Sequence, residues 1–365
     1  MHDSLPLDRV PARWDEITPA WINAVLASRH PDARVDTVAV VRRDDGTNRR
    51  AVLRLGYARG AGPATLFLKS NEPAHRSVHL RNGNLFNEAL LFGARVPLPV
   101  EHPLVYHAIA DRDEASFLLV MEDLVARGAD PRDATRPMTV EQVAAGLRGL
   151  ARVHSRYWGF TAEREPALAW VQTWAPGEGW QVGLRKRIPV GLQRAADALP
   201  ADILAQDADA IVDHWSRYVA SLSRTSMTLL HGDAHIGNTY VLPDGEVGFL
   251  DWQVVRRGEW SQDVGYFLIG SLSVEDRRRS ERQLLDVYRQ ALDVPTDEKP
   301  SAAQMWRRYR ATPAYGLAIW LSTLGTDGWQ SPAISLALAQ RYAQAFVDLD
   351  THAALDEPEA ACPPT

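Results

Sequence analysis

The period of the apolar residues changes once along this chain, and that change restricts the possible fold more than any other feature. Between residues 35 and 121 the period tends toward two, and residues 35–41, 51–55, 65–69, 104–109 and 116–121 read as strands. The turn-forming run Asp44-Asp45-Gly46-Thr47-Asn48 separates the first two. One insertion, residues 84–94, has helical spacing instead, with Leu85, Glu88, Ala89 and Phe92 on one side. After Glu122-Asp123-Leu124 and a polar stretch to Pro137, helical spacing takes over in residues 140–158, 203–222, 273–292, 302–324 and 332–354. Strands first and helices afterwards predict an α+β class protein of two units. Residues 1–124 form the sheet unit, led by a helix over about 18–29 that Thr18 caps and Pro19 starts. Residues 125–355 form the helical unit, and the acidic, Pro-containing residues 356–365 are expected to fray.

One stretch breaks the helical half. Leu229-Leu230 leads into His231-Gly232-Asp233-Ala234-His235-Ile236-Gly237-Asn238, and a short hairpin around Pro243-Asp244-Gly245 carries the chain on to Asp251-Trp252. Asp233 and Asn238 are five apart, the spacing that lets a short loop turn a carboxylate toward a substrate hydroxyl and an amide oxygen toward a metal. Asp251 would return to the same point from the end of the hairpin. Two hard oxygen ligands and a separate carboxylate suit magnesium-assisted phosphoryl transfer. The plainer reading makes Asp233 and Asn238 turn residues and Asp251 a helix cap; the apolar strands that flank all three favour the site. Lys69 closes the strand Leu66-Phe67-Leu68, and Glu88 lies nineteen residues on, in the inserted helix. A strand lysine is ordinarily surface, but paired with Glu88 it would reach nucleotide phosphates.

Composition excludes several classes. A net charge of -6 with no long basic run argues against nucleic acid as the partner. No apolar window of 18 residues exists, so no membrane span is expected. Cys362 is the sole cysteine, which leaves no disulfide within the chain and no cysteine-based zinc site. Residues 1–14 lack a basic n-region followed by an apolar segment, and a cytoplasmic setting is the expectation.

The segments Leu229 through Asn238 and Phe249-Leu250-Asp251-Trp252 resemble the two hallmark motifs of the aminoglycoside phosphotransferase superfamily. Gly62 through Lys69, Leu119-Val120-Met121-Glu122-Asp123-Leu124, Gly149 through Trp158 and Trp260 through Tyr266 are similar to its ecdysteroid-kinase-like and CHK-kinase-like branch. The resemblance spans about residues 35–345. It implies a bilobal protein-kinase-like fold with ATP between the lobes. By position, Asp233 would be the catalytic base, and Asn238 and Asp251 the Mg2+ ligands. Lys69 would contact the α/β-phosphates, with Glu88 holding it. Met121, Glu122, Asp123 and Leu124 would meet the adenine at the hinge. His231 and His235 would shape the loop, and Asp263 would brace it from below. One departure stands out: the loop between the first two strands carries a single glycine, Gly46, so Thr47 and Asn48 are the side chains left to contact phosphate.

The acceptor should be a small-molecule hydroxyl met by the helical unit, which holds ten of the twelve tryptophans. Trp170, Trp174 and Trp180 punctuate a stretch that reads as a loop, and Trp320 and Trp329 flank Gly325-Thr326-Asp327-Gly328. Such a wall favours a neutral or partly apolar alcohol. Aminoglycosides would want clustered carboxylates, yet residues 167–192 contain only Glu178, and Asp327 stands apart. An aminoglycoside or other antibiotic as acceptor, a hydroxy acid or hydroxyacyl thioester held by Arg185 or Arg187, and a nucleotide- or ligand-binding module that is catalytically weak remain open alternatives.

Overall fold

A computed structural model of the chain describes residues 6–45, 48–81, 83–222 and 227–357. Gly46 and Thr47 therefore lie outside the described residues, as do residues 358–365 of the expected frayed tail.

Helix α1 (Pro19–Leu26) opens the sheet region, with the Thr18 hydroxyl accepting from the Trp21 amide at its N-terminus. Strands β1 (Arg34–Asp45), β2 (Asn48–Arg59) and β3 (Thr65–Asn71) follow, then helices α2 (Arg76–Arg81) and α3 (Asn87–Gly93), and strands β4 (Val105–Asp111) and β5 (Ser116–Glu122). They form one antiparallel sheet in the order β1-β2-β3-β5-β4. Placing β5 between β3 and β4 buries it on both faces, which explains its unbroken apolar run. Leu66, Leu68, Leu118 and Val120 pack outward with Trp21 and Ile22 of α1. Phe117, Leu119 and Met121 pack inward with Ala89 of α3. Alternation along the strands thus places α3, and Glu88 with it, on the opposite side of the sheet from α1.

The helical region begins after the short strand β6 (Asp130–Pro131). It comprises α4 (Val140–Arg156), α5 (Glu178–Arg194), α6 (Ala201–Leu204), α7 (Ala208–Ser221), α8 (Ser261–Ser271), α9 (Val274–Ala291), α10 (Ala302–Ala311), α11 (Pro313–Leu324), α12 (Pro332–Asp348) and α13 (Thr351–Asp356). Between α7 and α8 run the strands β7 (Thr228–Leu230), β8 (Thr239–Val241), β9 (Val247–Phe249) and β10 (Arg256–Gly258). Strand β8 pairs with β6 and β9, and β7 with β10. Helix α8 is buried along its whole length, so it forms a covered centre of the helical region.

Three sequence expectations are corrected. The stretch read as a loop with three tryptophans contains helix α5. Its glycines and Pro189 disguise a spacing in which Leu184, Ile188 and Gly191 face the core. Gly191 is needed there, because a β-carbon would come within 2.0 Å of the Leu321 carbonyl oxygen on α11. The long spans expected over residues 203–222, 302–324 and 332–354 each divide into two helices. Pro313 ends α10 and starts α11, since a proline lacks the amide that would continue the ladder. Asp350, at φ 46°, separates α12 from α13. Helix α2, between β3 and α3, was not foreseen.

Candidate active site

The loop after β7 is fixed from below by one carboxylate. Asp263, on the first turn of α8, accepts the His231 amide at 2.7 Å with Oδ2 and the Gly232 amide at 2.9 Å with Oδ1. His154 of α4 approaches the same Oδ2 at 3.4 Å through Nε2, while its Nδ1 meets the Tyr288 hydroxyl at 2.8 Å. Burial pushes the Asp263 carboxyl up, but His154 and the loop amides outweigh it and hold the group below the ordinary carboxylate range. Above, Arg256 donates to the Gly232 carbonyl at 2.7 Å, and its guanidinium lies 4.4 Å over Trp174. Gly232 itself adopts φ +83°, and a β-carbon there would meet the Val254 carbonyl oxygen at 2.2 Å.

The histidines shape the loop. His231 Nε2 donates to the Leu250 carbonyl at 3.0 Å, which leaves Nδ1 to accept the Asp233 amide at 3.3 Å. Its ring packs 4.6 Å from Trp252. His235 accepts the Gly237 amide through Nδ1 at 3.0 Å, and burial pushes its pKa below the ordinary histidine value. His235 Nε2 stands 3.8 Å from Asp233 Oδ2. Both rings thus make hydrogen bonds to backbone groups of the loop and of the segment before Asp251.

Asp233, Asn238 and Asp251 come together through the backbone. Asn238 Nδ2 donates to the Asp233 carbonyl at 2.9 Å and to its Oδ2 at 3.2 Å. With the nitrogen committed, the amide oxygen is the end of Asn238 that can meet a cation. The Leu250 amide donates to the Asn238 carbonyl at 2.9 Å, which sets Asp251 one residue away. Asp251 holds a left-handed backbone, φ 63°, a conformation asparagine and aspartate tolerate better than other side chains. That strain at the turn into the site is the kind a functional position stores.

Lys69 and Glu88 complete the constellation. Lys69 Nζ lies 2.6 Å from Glu88 Oε2 and 2.7 Å from Asp251 Oδ1, and both Lys69 and Glu88 are buried. Burial alone would lower the ammonium pKa; the two carboxylates more than reverse it and keep Lys69 charged. In return Lys69 overcomes the burial of Asp251 and holds that carboxyl below its usual range. Glu88 Oε1 accepts the Trp252 amide at 3.1 Å, so α3 grips the segment that carries Asp251.

A cleft of about 530 Å³ opens between the sheet and this loop, within the range of small-molecule sites. Phe67, Met121, Leu124 and Leu250 give it an apolar end, and Lys69 and Asp251 a charged one. Glu122 and Asp123 line it as well. Asn48 is buried and turns its Nδ2 to Gln253 Oε1 at 3.4 Å, joining the sheet region to the segment after Asp251. Asn238 and Asp251 offer two hard oxygens, a donor set that would suit a magnesium ion completing its shell with water and phosphate. Among the described residues no group of three or more His, Cys, Asp or Glu is placed to hold a metal ion.

The expected acceptor residues separate into two groups. Trp174 sits edge-on to Trp180, Trp215 and Tyr315 at 5.5, 5.8 and 6.0 Å, directly under Arg256. Trp320 is buried 5.2 Å from the His235 ring. Trp170 is half-buried against the same core. By contrast, Asp327 is paired with Arg194 at 2.8 Å and its side chain is 90% exposed. Trp329 is likewise exposed, stacked under Arg187 at 5.2 Å. The sequence reading gave no role to Arg256, His154, Tyr266 or Tyr315. Burial raises the two phenols, and the nearby Asp233 carboxylate raises them further. Nothing local marks Arg256 or Tyr315; His154 and Tyr266 fall in segments quoted for the family resemblance.

The chain matches the model of the ecdysteroid kinase-like family over residues 190–297, the part that carries the catalytic-type loop. No curated protein matches it by sequence. Solved structures share its fold. A protein of Ralstonia eutropha JMP134 assigned as an aminoglycoside phosphotransferase is 16% identical, covering 91% of this chain and 97% of its own, with a TM-score of 0.51. Spectinomycin phosphotransferase, solved with ADP and spectinomycin, is 12% identical over 92% and 99%, with a TM-score of 0.50. Ethanolamine kinase of Plasmodium vivax is 10% identical over 95% and 92%, also at 0.50. No described helix is long and apolar enough to cross a membrane. Residues 190–297 are thus similar to the ecdysteroid kinase-like family, within a chain that has the α+β kinase-like fold of these solved phosphotransferases and ethanolamine kinase.

Proposed function

We propose that this protein is a small-molecule kinase that moves the γ-phosphoryl group of ATP to a hydroxyl of a neutral or partly apolar acceptor. The observation that carries the reading is the ion pair of Lys69 with Asp251 in the lining of a cleft, with Asp251 following directly on Leu250, whose amide bonds the Asn238 carbonyl, and Asn238 in turn bonded to Asp233. Residues 1–124 would serve as the nucleotide lobe and residues 125–355 as the acceptor lobe. Met121 to Leu124 would flank the adenine at the apolar end. Magnesium, held by Asn238 and Asp251, would neutralise charge on the phosphates. Asp233 would orient the acceptor hydroxyl and take its proton as the new phosphorus–oxygen bond forms and the bond to the ADP oxygen breaks. Lys69, positioned by Glu88, would hold the α/β-phosphates.

The acceptor class follows from what surrounds Asp233. The side chains near it include His235, Tyr266, Tyr315 and Trp320. Asp263 is already saturated with loop amides. A polycation would find few carboxylates here, whereas a ring system or alkyl chain would find aromatic surface. The test is a panel of neutral apolar alcohols, hydroxy acids and aminoglycosides with MgATP, read by mass spectrometry of the phosphate ester. Turnover of apolar alcohols, lost in Asp233→Asn, is expected. Turnover confined to aminoglycosides would overturn the acceptor class, and none with any acceptor would leave a binding module.

A further inference from the structure

The cleft face of the sheet carries an arrangement that the nucleotide reading does not require. Residues of one face alternate, and β2 and β3 pair Val52 with Phe67 and Arg50 with Lys69. Arg50 and Lys69 are therefore direct cross-strand neighbours on the face that lines the cleft. Like charges placed opposite one another destabilise a sheet unless an anion answers them. Lys69 is answered by Glu88 and Asp251. Arg50 is answered only in part: its Nη2 lies 3.2 Å from Asp44 Oδ2, while its Nε is shielded from solvent with no hydrogen-bond partner. A buried guanidinium donor without an acceptor is a costly and uncommon feature.

A bulge sets up this face. Strand β1 pairs Val40 with Leu53 and then Arg42 with Val52, so Val41 is the extra residue. Val38 and Val40 pack on the α1 side with Leu53. Without the bulge Arg42 and Asp44 would continue on that side; with it they turn to the cleft, which both line. The β1–β2 loop meanwhile offers one glycine, Gly46, where a backbone cradle for phosphate would need several.

We infer that Arg50, opposite Lys69 on the cleft face, binds the nucleotide polyphosphate through its guanidinium, in place of a glycine-rich backbone cradle. This rests on the nucleotide-kinase reading above. The planar fork suits phosphate oxygens, and its terminal nitrogens, on a side chain that is 39% exposed and lines the cleft, are the donors that can meet them. Asp44 holds the fork in position while no anion is bound, and Arg42 adds positive charge at the mouth.

Calorimetric titration of the full chain with MgATP, MgADP and adenosine tests it, using the wild type, Arg50→Gln, Arg50→Lys and Asp44→Asn. Arg50→Gln should weaken MgATP and MgADP by about tenfold or more, as expected for lost charge-assisted hydrogen bonds. Adenosine affinity should stay within about twofold, since it lacks the group that is recognised. Arg50→Lys should recover part of the loss, as a point charge without a fork. Asp44→Asn should bind MgATP at least as tightly as wild type. MgATP affinity unchanged in Arg50→Gln would overturn the inference and leave the kinase reading intact. Equal losses for adenosine and MgATP would make Arg50 a structural residue and overturn it too. A wild type that binds no nucleotide at all would remove the kinase reading, and this inference with it.

Discussion

Replacing Asp263 by Asn separates the loop's scaffold from its chemistry. The carboxylate is 1% exposed and accepts two backbone amides and His154. An asparagine keeps the shape and one acceptor oxygen but turns an NH2 group toward a donor. Hydrogen bonds to a charged group contribute about 1.5–3 kcal/mol each, and a buried donor left unmet costs about 1–3 kcal/mol. One bond weakened to a neutral one and one donor orphaned give a destabilisation of about 3–5 kcal/mol. For a chain of this size that lowers Tm by on the order of 10 °C. The freed His231 and Gly232 amides also let Asp233 drift, and a misplacement near 1 Å costs about 100-fold in kcat. Guanidinium denaturation followed by circular dichroism gives the first quantity, and turnover at saturating ATP and acceptor, well below the melting range, gives the second. A variant within about 1 kcal/mol of wild type, with kcat within about threefold, would refute the claim that this carboxylate supports the loop.

Four further outcomes follow from the same geometry. Gly232→Ala should destabilise by about 3 kcal/mol or more, because it combines a left-handed φ with a 2.2 Å approach to the Val254 oxygen; thermal melting reads it. Asp233→Asn should lose about 10²–10⁴-fold in kcat while its Tm stays within a few degrees, since the half-exposed carboxylate supports little else. Lys69→Met leaves Glu88 and Asp251 facing each other without a cation, for a loss of about 3–5 kcal/mol that the double variant with Glu88→Leu partly restores. Stability should fall with acid in two stages. His235 is held neutral by burial, so the unfolded chain binds more protons and stability drops as pH falls below 6.5 toward the lower folded value. Asp251 and Asp263, both held down, contribute stability above pH 3.8 that is lost as pH falls through their folded values. Urea denaturation midpoints between pH 3 and pH 8, repeated in His235→Gln, separate the first stage from the second.

What the sequence made legible was local in character. Asp233 and Asn238 lie within one loop, and Asp251 follows on one hairpin, so spacing alone carried the geometry. Lys69 and Glu88 come from a strand end and a helix whose periods were clear, and their ion pair at 2.6 Å follows from α3 lying across β3 and β5. The acceptor side was illegible for the opposite reason. The aromatic wall proposed for it joins Trp174, Trp215, Tyr266, Tyr315 and Trp320, from four separate elements or loops, and only tertiary packing puts them together. Composition gave tryptophans but not which of them turn inward; Trp329 does not. Helix α5 was missed because Gly183, Gly191 and Pro189 outweigh its apolar spacing when propensity is read without its partner α11. Arg50 was passed over because a bulge, invisible in the apolar pattern, decides which face its neighbours on β1 occupy.

Several contacts between the two regions fall at and just after β9, and this has a mechanical consequence. Glu101 accepts the Phe249 amide at 2.9 Å through its carbonyl and the Tyr240 hydroxyl at 2.7 Å through its carboxylate. Arg127 bridges Glu101 and Glu122 at 2.7 and 2.9 Å, across the end of β5. Further in, Lys69 holds Asp251, Glu88 holds the Trp252 amide, and Asn48 holds Gln253. The short path from Phe249 to Gln253 is thus gripped at both ends by the sheet region, with Asp251 in its centre on a left-handed residue. A rotation of the sheet region against the helices would have to move Asp251 or break one of these bonds. These bonds couple the position of the Asp251 carboxylate to that of the sheet region. A substitution at Asn48 or Glu101, distant from any reacting atom, should reach the reaction through Asp251, and it should do so by changing how well the charged end of the cleft is assembled rather than how well its apolar end is filled.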